Sequence, residues 1–380
     1  MEEYGTMDNR KIQFLGKMPD PFLKNDGTRM TPEEWWQHRE EIRDFIVDME
    51  FGGMPPRPEV VKIQKLSARR RTAVFYRITA GSQDRQLSFY LELNIPQKNG
   101  IAEAPFEEGE KYPVLLTGDG CYRSVESDVI AEAIRRGYIL ARFNRLEIAV
   151  DVPDCREGGI YDIYPEHLDF TAISAWAWGY MVCMDVFEQL SFTDETEVGI
   201  TGHSRGGKTV MLASAVDDRI KYTCPNNSGC HGVASYLTVV TDQGPDKLRT
   251  ERLSDMLVAF PHWMGKKLTP YKDREQELPY DMHYFGTLSA PRYYFQIEGM
   301  QDYWVNPIAS WQTIMAVREC HKYLGCEGHA AAWFRPGEHR HKLPEFTEFM
   351  EFMDCVRNGQ TLREQWEINP YPNVEKNFEW

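Results

Sequence analysis

Glu197-Val-Gly-Ile-Thr-Gly-His-Ser-Arg-Gly-Gly-Lys208 is the stretch that decides the fold. Glu197 to Thr201 reads as a short apolar strand, and the residues from Arg205 to about Ala215 read as a helix. Between them, Gly202-x-Ser204-x-Gly206 forms a nucleophile elbow. The flanking glycines let the chain turn tightly, so that the Ser204 hydroxyl sits on the turn and points out of the sheet. A bare G-x-S-x-G is common by chance; one held between an apolar strand and a helix is specific.

The elements on either side agree with that reading. Upstream, Val114–Thr117 is a short apolar strand ending in Gly118-Asp119-Gly120, followed by a helix from Val125 to Arg136 and a strand from Tyr138 to Phe143. A long loop to about His167 leads into an apolar helix from about Asp169 to Leu190. Downstream, Ile220–Thr223, Arg292–Ile297 and Ala330–Phe334 fit strands. Strands alternating with helices imply a mostly parallel sheet covered on both faces. Before them, Val60–Leu66, Arg71–Thr79 and Leu87–Ile95 alternate and are joined by short turns, as in an antiparallel meander. Gln97 to Glu110 is a polar loop. Antiparallel strands followed by parallel βα units is the α/β-hydrolase plan, an α/β fold.

No Pro/Gly/Ser linker divides the chain, so residues 1–380 are read as one domain. An N-terminal extension (1–59) precedes a catalytic core (60–380) that carries an insertion at about 240–285. The first ~20 residues lack a periodic pattern and are expected to run over the surface. Thr31-Pro-Glu-Glu34 is a capping box that starts a helix, which stops before Gly52-Gly53.

Composition sets the class of partner. Lys and Arg number 43 against 58 Asp and Glu, a net charge of −15, with 42% hydrophobic residues. Such a surface repels phosphate backbones and anionic lipid, which argues against nucleic acid and membrane partners. The apolar, uncharged run Thr171 to Met184 is shorter than the ~20 residues a bilayer needs. The start, Met-Glu-Glu-Tyr-Gly, has neither the basic nor the apolar region of a secretory signal. Eight cysteines without a C-x-x-C pair read as reduced thiols. A cytoplasmic protein is therefore expected, with bridges between Cys224 and Cys230 or Cys320 and Cys326 as the minority alternative. No H-E-x-x-H, metal-spaced Cys/His set, P-loop or dinucleotide fingerprint is present, so neither cofactor nor metal is expected.

A serine nucleophile needs an oriented base, and on this plan the chain order is Ser, acid, His. Asp302 lies in the loop after the strand ending at Ile297. His339 follows the strand ending near Phe334, just past Gly337, and His341 competes with it for the role of base. His203, inside the elbow, is read as a packing residue. Arg205 and Lys208 lie in the first helical turn, where the helix dipole disfavours cations, so a compensating ligand is expected. The backbone N–H of Arg205 is the expected oxyanion donor, and its guanidinium could add another.

Gly202-His-Ser-Arg-Gly-Gly-Lys208 resembles the G-[C/H]-S-R-x-x-K elbow of the glucuronoyl esterases of carbohydrate esterase family 15. The resemblance extends to Gly53-Met-Pro-Pro56, Phe260-Pro-His-Trp263, Leu278-Pro-Tyr-Asp-Met-His283 and Asp302-Tyr-Trp-Val-Asn-Pro307. It implies hydrolysis of an ester between the carboxyl of a (4-O-methyl-)glucuronic acid and an alcohol, on a small molecule or an oligosaccharide. It also implies Ser204 as nucleophile, Arg205 as oxyanion stabiliser, and Lys208, Trp304, Gln243 and Glu251 as sugar-binding residues. One departure concerns the acid. Where many members have glutamate in a Pro-x-Glu-Ser-Gly context, this chain has Pro225-Asn-Asn227-Ser-Gly229, which leaves Asp302 as the sole acid. The anionic product is expected to be held by Arg205 and Lys208, so that its release limits turnover. An acetyl or other acyl esterase of sugars is the alternative substrate reading. A carbohydrate-binding pseudo-enzyme that lost its acid at Asn227 is the alternative of another class.

Overall fold

The computed structural model describes residues 10–68, 73–96, 110–121, 125–242 and 249–380. The chain opens with strand β1 (Arg10–Phe14) and helix α1 (Pro32–Phe51). Thr31 Oγ1 accepts from Glu34 N at 3.2 Å and Glu34 Oε2 accepts from Thr31 N at 2.8 Å, so the capping box is closed at both ends. The antiparallel meander follows as β2 (Val60–Ala68), β3 (Ala73–Gly81) and β4 (Gln86–Asn94). Residues 71–72 of the expected second strand and 97–109 of the expected polar loop lie outside the described residues.

The βα units come next: β5 (Tyr112–Thr117), α2 (Ser127–Arg135), β6 (Ile139–Phe143), the short α3 (Ile160–Ile163), α4 (Ala172–Phe187), β7 (Thr193–His203), α5 (Arg205–Val216) and β8 (Tyr222–Asn226). The insertion holds β9 (Thr238–Asp242), α6 (Leu253–Ala259), several 3₁₀ turns and α7 (His283–Leu288). The chain then completes the sheet with β10 (Tyr293–Gly299), α8 (Pro307–Tyr323), β11 (Ala330–Arg335) and α9 (Leu343–Arg357).

Nine strands form the main sheet in the order β11-β10-β8-β7-β5-β6-β4-β3-β2. Neighbours from β11 to β6 pair in parallel, and those from β6 to β2 antiparallel. Two apolar cores cover its faces. Phe349, Phe352 and Met353 of α9 pack one face against Phe295 and Ile297 of β10. Helix α4 lies in the other core with every residue buried except Asp185. Its indoles find partners there: Trp176 donates to Ala149 O at 2.8 Å and Trp178 to Pro56 O at 2.9 Å. That run is thus a core helix, and among the described residues no helix is long and apolar enough to cross a membrane.

Two expectations are corrected. Of the first ~20 residues, 1–9 lie outside the described residues; the rest do not simply run over the surface, because β1 pairs antiparallel with β9 in a separate two-stranded sheet, Arg10 opposite Asp242 and Phe14 opposite Thr238. Five half-exposed residues paired with a segment more than 200 residues away leave no period to read. The minority disulfides do not form either, since Cys224, Cys230, Cys320 and Cys326 are unbridged thiols.

Candidate active site

The elbow is built by the sequence around Ser204. This residue has φ 57° and ψ −120°, a left-handed backbone that costs a non-glycine residue about 1–3 kcal/mol. Tight packing enforces it. A Cβ at Gly202 would lie 2.3 Å from Gly206 O, and one at Gly206 would lie 2.4 Å from Asp119 Oδ1. The strained turn is tied on both sides, with Ser204 N donating to Asn226 O at 2.9 Å and Gly207 N to Ser204 O at 2.8 Å. Asp119 braces it further, accepting from His203 N at 2.7 Å while paired with buried Arg145. The hydroxyl of Ser204 thus stands at the N-terminus of α5, at the C-terminal edge of the sheet.

Asp302 and His339 meet beside that turn. His339 Nδ1 donates to Asp302 Oδ2 at 2.5 Å. The His339 ring lies 4.3 Å from that of His203, the residue before the nucleophile. Asp302 Oδ2 also accepts from Asn227 Nδ2 at 2.7 Å. Asn227 therefore donates to the acid where a glutamate would have added a second negative charge. The two loops are zipped by main chain, Met300 N to Arg335 O at 2.9 Å and Gln301 N to Gly337 O at 3.1 Å. Buried Arg335 braces the loop that carries His339. It pairs with Glu345 at 2.5 Å and donates to the carbonyls on both sides of His339, Glu338 O at 3.1 Å and Arg340 O at 2.9 Å.

His341 sits elsewhere. It is buried, stacked on Phe346 at 4.0 Å, with Nε2 3.5 Å from Thr201 Oγ1. Burial and the neighbouring His203 keep it neutral, well below the usual histidine range. Burial, helped by His339, likewise lowers His203 to about 4, and its Nδ1 is 2.6 Å from Asn226 Oδ1.

The two cations have their own partners. Arg205 pairs with Asp151, and its guanidinium lies 4.7 Å above the Trp263 ring, which stacks on Phe260 at 4.0 Å. Asp151 Oδ1 accepts from His262 Nε2 at 2.9 Å and Trp263 Nε1 at 2.8 Å. Burial alone would raise the Asp151 carboxyl; hydrogen bonds from His262, Arg205 and Trp263 outweigh it and hold it at about 2. Lys208 is only 3% exposed, and its ammonium donates to Ser228 O at 2.5 Å and to Cys230 O. Burial lowers its pKa, and the Glu251 carboxylate opposes that most. Both first-turn cations therefore find their compensation inside the protein. From Lys208 a chain of contacts leads outward: Cys230 N donates to Glu251 Oε1 at 2.7 Å, and Glu251 N to Trp304 O at 2.9 Å. Trp304 ends that chain 55% exposed, beside a cavity walled by Val240, Tyr303 and Ile308. Gln243 lies outside the described residues.

Comparison with known proteins decides the family. The family model "Glucuronyl esterase, fungi" matches residues 78–325. The chain belongs to the glucuronyl esterase family. It is a carboxylic ester hydrolase, and uronate esters are its substrates. A 4-O-methyl-glucuronoyl methylesterase of Wolfiporia cocos is 26% identical over 86% of this chain and 76% of its own. The same named enzyme of Hypocrea jecorina is 27% identical over 87% of this chain and 67% of its own. Among solved structures, a carbohydrate esterase family 15 glucuronoyl esterase from Caldicellulosiruptor kristjansonii superposes with a TM-score of 0.80 at 23% identity, covering 96% of both chains. A Sporotrichum thermophile glucuronoyl esterase, solved with methyl 4-O-methyl-β-D-glucopyranuronate, superposes with a TM-score of 0.73 at 21% identity, over 93% of this chain and 91% of its own. At these identities the structural likeness carries the α/β-hydrolase fold.

Within this esterase the structure brings Ser204, Arg205, Asp302 and His339 to one edge, with Lys208, Glu251 and Trp304 strung behind the elbow. Sequence reading missed Asp151, Arg335 and the Asp119–Arg145 pair. Trp263 and His262 stood in a family-like block without a role. Asp151 sits in a loop with no period or motif, so only the folded chain reveals it. Glu298 was also missed; it is fully buried in β10, both carboxyl oxygens lack a partner among the described residues, and burial followed by Asp302 raises its pKa.

Proposed function

We propose that this chain hydrolyses esters of glucuronic acid through an acyl-enzyme on Ser204. The observation that carries the reading is the His339–Asp302 hydrogen bond packed against the residue that precedes the elbow serine. His339 takes the proton from Ser204 Oγ as the oxygen attacks the ester carbonyl carbon. Asp302, held by Asn227, fixes the donor nitrogen and stabilises the imidazolium. The backbone N–H of Arg205 at the start of α5 and its guanidinium stabilise the oxyanion. Collapse of the tetrahedral intermediate breaks the C–O bond to the alcohol, which leaves with the proton from His339. Water, activated by the same imidazole, then frees the acid. Lys208, Glu251, Gln243 and Trp304 hold the sugar. Lys208 acts chiefly by setting the 228–230 loop, since two of its three donors already serve carbonyls there.

Whether the sugar bears a 4-O-methyl group, and which alcohol leaves, is decided by an ester panel that varies both halves. Turnover of benzyl glucuronate well above that of acetylated xylo-oligosaccharide is expected. The reverse order assigns the acyl-sugar alternative. Absence of fluorophosphonate labelling, with neither ester turned over, assigns the pseudo-enzyme. The buried, unbridged thiols of Cys183, Cys224, Cys230, Cys320, Cys326 and Cys355 support the cytoplasmic location expected from the sequence.

A further inference from the structure

Each cation around the elbow faces a carboxylate: Arg205 faces Asp151, Arg145 faces Asp119, and Lys208 lies in the field of Glu251. That pattern bears on a problem this chemistry creates. The substrate carboxyl is esterified and neutral, whereas the product carboxyl is an anion left at the same place. A bare guanidinium beside it would bind the product more tightly than the ester, because a charge attracts a charge more than a dipole. Asp151 removes that asymmetry. Its carboxylate is 11% exposed and pinned by two donors on one oxygen, so it cannot swing away from Arg205.

Resting on the esterase reading above, we propose that Asp151 is a positioning and charge-balancing residue, which holds Arg205 in place and makes the site select the neutral uronate ester over the free uronate. It acts through Arg205 and leaves the guanidinium free to hydrogen-bond the transient oxyanion. Release of the acid is then not slowed by the cations of the first helical turn, contrary to what the sequence alone implied.

Asp151→Asn tests this. The amide keeps the size and offers an oxygen to His262 and Trp263, but the charge is gone. The inhibition constant of glucuronate is expected to fall about tenfold or more, while KM for benzyl glucuronate changes less than about threefold. In the variant that constant rises steeply between about 20 and 500 mM salt, as attraction to a net cation is screened; in the wild type it stays flat. Asp151→Glu restores the wild-type value. An unchanged glucuronate constant, or one that shifts in parallel with KM, overturns the proposal. Should the Asn variant fail to fold, the wild type decides: glucuronate and its neutral amide bind alike at all salt concentrations. A preference for glucuronate of about tenfold or more that salt abolishes overturns it. A wild type that hydrolyses no benzyl glucuronate sinks the underlying reading instead, while normal hydrolysis with the wrong inhibition pattern sinks this inference alone.

Discussion

The two walls of the site are built differently. The wall carrying Ser204, Asp302 and His339 consists of three short loops, each directly after a parallel strand (β7, β10 and β11), locked together by main-chain hydrogen bonds. The wall carrying Asp151, His262, Trp263 and Phe260 comes from a long loop and the insertion, and side chains alone hold it against Arg205. On the proposed function the first makes a nucleophile, and its geometry is set by turns that tolerate almost no change. The second sets the charge around that nucleophile, and its geometry is set by packing. Reaction machinery placed at strand ends and tuning placed on loops is the division of labour that the α/β architecture favours.

Perturbing each wall separates the two roles. Ser204→Ala is expected to have the largest effect, a loss on the order of 10⁶ in kcat measured by steady-state hydrolysis of benzyl glucuronate. Residual turnover near the wild-type rate would remove the elbow from the mechanism. Asp302→Asn comes next, about 10⁴ in kcat. A near-normal rate would point to another acid, for which Glu298, buried in the field of Asp302, is a candidate. Arg205→Ala, which empties the point where the walls meet, is expected to lower kcat by about 10²–10³. An effect on KM alone would make Arg205 a ground-state binder and blur the contrast between the walls.

Acid stability probes the scaffold beneath both walls. His283, His321 and His341 are buried and His203 is partly buried; all four are kept below the 6.5 of the unfolded chain, His203 at about 4, His283 at about 3, His321 at about 4 and His341 well below 6.5. The unfolded chain therefore takes up these protons first. Stability should fall as pH drops below about 6.5, by up to about 1.4 kcal/mol per pH unit for each ring, until the folded rings protonate near 4 and below. Asp281, raised by burial to about 6, works the other way between about 6 and 3.8, and Glu298, Glu251, Asp185 and Glu147, also raised by burial, add to that opposition. Urea melts at stepped pH measure the balance, and a flat profile from pH 7 to 5 would refute it. Thr31→Ala, far from either wall, should cost only about 1 kcal/mol through the lost cap, visible as a lowered Tm with unchanged kcat.

The two walls also differ in how far they could be read in the chain. The elbow, the strand-end positions of Asp302 and His339 and the α/β plan follow from residues close in sequence, because a tight turn next to a strand demands particular residue types. The order of His339 over His341 rested on position alone; the folded chain separates them by exposure, 39% for the His339 side chain against 3% for His341. The Asp151 wall was illegible because Asp151 lies 54 residues from Arg205 and 111 and 112 from His262 and Trp263, with no spacing rule to join them. Strand β1 escaped for the same reason, as its partner is the insertion. The resemblance supplied Arg205 and Lys208 with roles, but not the carboxylate that balances the first or the carbonyls that wrap the second.

The wrapping of Lys208 has a practical side. Amine-reactive linkers meet side chains such as Lys17, Lys266 and Lys322, whose exposures are 60%, 77% and 62%, while the ammonium behind the elbow is shielded by backbone carbonyls. The protein can therefore be anchored to a solid support through its exposed lysines while Lys208 stays unmodified.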